Sequence, residues 1–126
     1  MQIEKAHESL RAAEVCFGEK LYNSTANRAY YAMFQAAVVA LETVGFRPKG
    51  KEWSHEGVQA TFAMELTRRR KLYSVSLVAD LLDILSIRHQ ADYKERNVSR
   101  EDARDALKAA QHFVEAVVTA TAATGE

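Results

Sequence analysis

What most constrains this chain is how little punctuation it carries. One proline, Pro48, and five glycines serve 126 residues, too few turn-formers for a protein of many short strands. Between them apolar residues recur at steps of three and four, the period of a helix face. No stretch shows the two-residue alternation of a half-buried strand. The expected fold is all-α: an up-and-down helical bundle of four main helices plus a shorter one, as a single domain over residues 1–126.

The element boundaries follow from capping chemistry. A first helix is expected from Ile3 to Gly18. A second opens near Asn23-Ser24-Thr25 and ends at Gly45, a candidate C′ glycine. The one loop is Gly45-Phe46-Arg47-Pro48-Lys49-Gly50-Lys51, with Trp53 expected to anchor it onto the bundle. Ser54 is an N-cap candidate for a third helix, which fades in Arg68-Arg69-Arg70-Lys71, cations suited to the negative end of a helix. A fourth helix runs from near Ser74 to about Arg96. A fifth starts at Ser99, where Ser99-Arg100-Glu101-Asp102 fits a capping box in its Asp variant, and frays from Thr119 onward.

Charge and cysteine usage then exclude whole classes. Seventeen Lys and Arg against seventeen Asp and Glu give a net charge of +0, so a nucleic-acid site has to be a local patch or groove. The single cysteine, Cys16, allows no intrachain disulfide and fits a reducing compartment. The longest apolar run, Ala36 to Leu41, is far short of the ~20 residues that cross a bilayer. A cytoplasmic protein without membrane contact is expected. Asn23-Ser24-Thr25 and Asn97-Val98-Ser99 match the glycosylation sequon, and helix capping is the reading preferred for both. His55-Glu56-Gly57-Val58-Gln59 resembles the start of a zinc-protease helix, but Gln59 stands where the second histidine must be. No metal and no cofactor are expected.

Polar residues enter the apolar pattern at one place. On the fourth helix Leu77, Leu81 and Ile84 lead into Arg88 and Asp92, while Val78, Leu82 and Leu85 lead into His89 and Tyr93. Arg88 and Asp92 are four apart and project from one face. Two readings fit: an inward ion pair that fixes packing or a subunit contact, or an arginine that grips phosphate in a cleft. The second helix carries Asn27, Tyr30, Tyr31, Phe34 and Val38 on one stripe, with Arg28 beside Tyr31. Tyr30 and Phe34 read as core; Asn27, Arg28 and Tyr31 are candidates to face Arg88 and contact a nucleotide or RNA backbone.

Three segments together, Asn27-Arg28-Ala29-Tyr30-Tyr31-Ala32-Met33-Phe34, Ser54-His55-Glu56-Gly57-Val58 and Arg88-His89-Gln90-Ala91-Asp92-Tyr93, resemble the small stand-alone HEPN proteins. The resemblance covers nearly the whole chain. It implies a helical bundle, usually a homodimer with its groove near the subunit interface. It also implies a toxin–antitoxin setting with a nucleotidyltransferase-type antitoxin as partner, which in some pairs modifies a tyrosine; Tyr93 is the corresponding residue. Active members resemble metal-independent ribonucleases, in which an arginine stabilises the transition state and a histidine moves protons.

The family's catalytic signature is an arginine followed, after four to six residues, by a histidine. From Arg88 those positions are Tyr93, Lys94 and Glu95, and none is histidine. His89 adjoins Arg88 but projects about 100° round the helix. The expected centre is therefore Arg88, Asp92 and Tyr93, with Asn27, Arg28, Tyr31 and His89 binding nucleotide or RNA. Cleavage by a variant site and a catalytically inactive nucleotide-binding or protein-interaction module both remain open.

Overall fold

The computed structural model describes the backbone of residues 3–93 and 97–123, and the side chains there except at 90–93 and 123. Among these described residues five helices form: α1 (Ile3–Gly18), α2 (Tyr22–Thr43), α3 (His55–Thr61), α4 (Val75–Tyr93) and α5 (Arg100–Ala123). A π-helical segment, Phe62–Arg69, continues α3. The all-α expectation holds, and α1, α2, α4 and α5 are the four long helices of the bundle.

Helix α2 is the centre of the molecule. It packs against α1, α4 and α5, and touches α3, while α1 and α4 sit on opposite sides of the α2–α5 pair. Eleven of its 22 residues are buried, among them Ala26, Ala29, Ala32, Ala36, Ala37 and Ala40. Side chains this small let neighbouring backbones approach on several faces at once. Between the alanines, Tyr30, Met33 and Leu41 project the bulk that fills the core, joined by Phe62, Leu66, Leu81 and Phe113 from the other helices. Phe62 is the aromatic hub, with ring centroids 5.4 Å from Phe113 and 5.0 Å from Tyr73. Its partner Tyr73 is buried deeply enough that its phenol is pushed up to about 12.

The ends follow capping chemistry, with one correction. After α2 the amide of Gly45 donates to the Glu42 carbonyl at 3.1 Å and that of Phe46 to the Leu41 carbonyl at 3.0 Å, the paired bonds of a Schellman stop. Gly45 takes φ +98°, which side chains with a Cβ rarely adopt. Ser54 Oγ caps α3 by accepting from the Gly57 amide at 2.8 Å, and Ser99 Oγ caps α5 by accepting from the Asp102 amide at 3.0 Å. The correction is Asn23. The residue before α2 is Leu21, which makes no side-chain cap; Asn23 Oδ1 instead accepts from the Val98 amide at 2.8 Å, and its Nδ2 donates to Asn97 Oδ1 at 3.1 Å. Two polar side chains thus tie the start of α2 to the approach to α5.

Two further departures concern surface and register. Residues 62–69 run as π-helix where an α-helix was expected. The widened turn brings Phe62, Leu66 and Thr67 inward together and leaves Arg68 to Lys71 exposed. On α4 only one of the two apolar stripes is core. Leu77, Leu81 and Ile84 are buried, whereas Leu82 is 47 % and Val75 71 % exposed.

Candidate functional site

The inner stripe of α4 ends at Arg88, and α2 determines what this cation meets. Its guanidinium carbon lies 5.2 Å from the ring centroids of both Tyr30 and Tyr31, and Nη2 donates to the Tyr31 hydroxyl at 3.4 Å. A guanidinium over a phenol face is attracted by the ring quadrupole and keeps its edge donors for other partners. From the same helix as the tyrosines, Arg28 places its guanidinium 4.9 Å from the Tyr31 centroid. It is steadied by Asn27, whose Oδ1 accepts from Arg28 Nη2 at 2.7 Å and Nε at 3.1 Å. Two cations therefore share one tyrosine ring. Beside them a shallow depression of about 360 Å³ is lined by Cys16, Asn23, Ser24, Asn27 and Arg28.

The third helix completes the cluster. Capping by Ser54 starts α3 so that His55 and Gln59, one turn apart, reach the buried Tyr30. His55 Nδ1 and the Tyr30 hydroxyl are hydrogen-bonded at 2.5 Å, and Gln59 Nε2 donates to that hydroxyl at 3.5 Å. The imidazole stacks on Phe34, with centroids 4.5 Å apart, and on Tyr30 at 5.5 Å. Burial lowers the His55 pKa below its ordinary value, and the Arg88 charge lowers it further. Burial raises the Tyr30 phenol, against the smaller opposing effects of Gln59 and Arg88. Burial thus favours the uncharged forms of the His55 imidazole and the Tyr30 phenol, beside two cations. That is an anion-binding constellation with a proton acceptor inside it.

Of the residues expected from sequence, Asn27, Arg28, Tyr31 and Arg88 are brought together. His89 is not: it is exposed, on the outer side of α4. Asp92 and Tyr93 continue the α4 backbone, but their side chains lie outside the described residues, as do Lys94, Glu95 and Arg96. Sequence reasoning missed His55 and Gln59, and assigned Tyr30 to packing alone. One signal was available: His55, Val58, Gln59 and Phe62 share helical spacing behind the Ser54 cap, which gives His55 the same inward face as core residues. Among the described residues no three His, Cys, Asp or Glu side chains converge to hold a metal.

Comparisons with known proteins agree with this architecture. The chain is 31% identical over 118 residues to a Methanocaldococcus jannaschii protein named "Putative toxin MJ0605", covering 91% of this chain and 82% of that protein. A second protein of the same organism, "Putative toxin MJ0142", is 31% identical over 113 residues, covering 89% of this chain and 74% of its own length. A Gloeobacter violaceus protein named "UPF0332 protein glr0978" is 28% identical over 115 residues, covering 90% and 87%. The HEPN domain model matches residues 1–120, and the segments that carry Asn27 to Tyr31, His55 and Arg88 all fall inside that match. This chain belongs to the HEPN domain family.

Proposed function

We propose that this protein is a toxin-type HEPN component that cuts RNA without a metal ion at the Arg88–His55 cluster. The observation that carries the reading is that Arg88 and His55, far apart in the chain, meet on the same pair of tyrosines. On this reading His55, from α3, is the proton acceptor beside Arg88. With Nδ1–H donating to the Tyr30 oxygen, His55 Nε2 is the base. It takes the proton of an RNA 2′-hydroxyl, and the 2′-oxygen bonds to the adjacent phosphorus. The 5′-oxygen leaves and is protonated by water, giving a 2′,3′-cyclic phosphate and a 5′-hydroxyl. Arg88 and Arg28 offer donors to the phosphorane, whose charge exceeds that of the ground-state phosphodiester.

Three further parts belong to the same reading. The nucleotidyltransferase-type antitoxin is the proposed partner, and Tyr93, five positions after Arg88 on α4, is the proposed site of its modification. The proposed homodimer uses the outer stripe of α4, where Val75 and Leu82 are exposed and Val78 and Leu85 half-buried at helical spacing; contiguous apolar surface of this kind marks an interface. The proposed compartment is the cytoplasm; among the described residues no helix is long and apolar enough to cross a membrane.

The test is cleavage of single-stranded RNA in EDTA by wild type, Arg88→Ala and His55→Gln, with circular dichroism on each. Loss of cleavage in both folded variants is the expected result. Equal cleavage by His55→Gln overturns the role of the imidazole. The absence of histidine at positions 93–95 favours a second reading, a catalytically inactive nucleotide-binding module. No cleavage by wild type, with nucleotide binding that depends on Arg88, would establish it.

A further inference from the structure

The cations of this neutral chain are unevenly placed. Residues 44–73 hold seven Lys and Arg against three Asp and Glu, while the rest of the chain holds ten against fourteen. Two of these cations, Arg47 and Lys49, line a cleft of about 530 Å³ between the 44–54 loop and α3, together with Phe46, Trp53, Gly57 and Thr61, and Glu52 is the acid among its walls. The indole of Trp53 is held in place because Nε1 donates to Glu42 Oε2 at 3.1 Å. Arg47 is braced through Nη1, which donates to the Phe46 carbonyl at 2.7 Å and the Glu42 carbonyl at 3.1 Å. Arg70, which is exposed, lays its guanidinium 5.2 Å from the centroid of Phe46, a residue of the cleft wall.

We infer that this cleft is a second nucleotide subsite, taking a base and a phosphate of single-stranded RNA beside the bond held at Arg88. An indole and surrounding cations are what an unpaired nucleotide needs, a stacking surface for the base and neutralisation for its phosphate. An acidic protein would match the cations but leave the indole slot unused. The connection to the Arg88 cluster is the start of α3: Trp53 and Ser54 line the cleft, and the next residue, His55, stacks within the cluster. A strand crossing that turn reaches both. The inference rests on the RNA reading above, since it assigns the path of the same substrate, and it also locates the cations that a neutral chain needs to hold RNA.

Trp53 is the only tryptophan, so its emission reports on the cleft without a label. The full chain is titrated with a 2′-O-methylated RNA hexanucleotide, which binds without being cut. The expected result is saturable quenching of Trp53 in wild type. Replacing Arg47, Lys49 and Arg70 by alanine weakens binding at least ~10-fold and flattens the dependence of log affinity on log salt by about 2. Trp53→Ala, read by polarisation of labelled RNA, weakens binding about 5-fold or more, and Trp53→Phe restores part of it.

Unchanged emission, with the triple variant binding like wild type, overturns the subsite; loss of cleavage in Arg88→Ala would then still support the RNA reading. Quenching that persists when wild type cuts no RNA keeps the subsite and overturns the cleavage. Quenching by polyglutamate but not by RNA overturns RNA as the occupant. Circular dichroism of each variant separates lost binding from lost fold.

Discussion

The two faces of α4 are built from the same residues and do different things. The inner face, Leu77, Leu81 and Ile84, is buried and delivers Arg88 onto Tyr30 and Tyr31. The outer series is just as apolar: Val78 and Leu85 are half-buried at the edge of the core, Val75 and Leu82 are exposed, and the series leads to the exposed His89. One residue of offset separates the two series, and one residue is about 100° of rotation on a helix. A helix apolar on both sides gives little information about which side is core. The neighbours decide: α2 and α5 pack on α4 and bury Leu77, Leu81 and Ile84, while Val75 and Leu82 are left exposed.

Substitutions in pairs test that comparison. The largest effect is expected for Leu81→Ala, which opens a hole among well-packed neighbours and costs about 2–5 kcal/mol in urea denaturation. Leu82→Ala, its neighbour on the outer face, stays within ~0.5 kcal/mol for the folding of the monomer. Equal losses from the two would show that both faces are core. Next comes the polar end. Under the proposed function, Arg88→Ala slows RNA cleavage about 10²–10³-fold, the loss expected when charge stabilisation of the transition state is removed, whereas His89→Ala leaves the rate unchanged. A reversed order would move the site to the outer face.

Smaller again is the effect of Leu82→Glu on assembly. Burying that carboxylate in a subunit contact is costly, so the proposed dimer is expected to dissociate about 10-fold more readily by sedimentation velocity, with helix content unchanged. The smallest effect is in pH dependence. A general base must be unprotonated, so cleavage falls as pH drops through its pKa. Burial and Arg88 hold His55 below 6.5, which puts the acid limb of the rate profile below that value. Arg88→Lys, which keeps the charge, should preserve the position of the limb. A limb at or above 6.5 would mean that another group takes the proton.

Much of the fold was legible because helices announce themselves locally. Pro48 and Gly45 marked the loop, Ser54 and Ser99 the caps, and steps of three and four the buried faces. Where the reading failed, the deciding contact lay elsewhere in the chain. Asn23 looked like a cap and proved to be a clasp on Asn97 and Val98, because the start of α2 lies against the approach to α5. The π turns of residues 62–69 carry no sequence sign; their first residue, Phe62, packs on Phe113 and Tyr73 from elsewhere in the chain.

The site divides in the same way. That Asn27 and Arg28 each lie beside Tyr31 was determined by the sequence alone, because residues three and four apart on a helix are neighbours whatever the rest of the protein does. That Arg88 is a cation in an apolar register was equally plain. That His55 reaches Tyr30, that Tyr30 reaches Arg88, and that Trp53 roofs a cationic cleft on the other side of the same short helix were decided by tertiary structure. Those contacts join α2, α3 and α4, and helical periodicity carries no information about which helices meet.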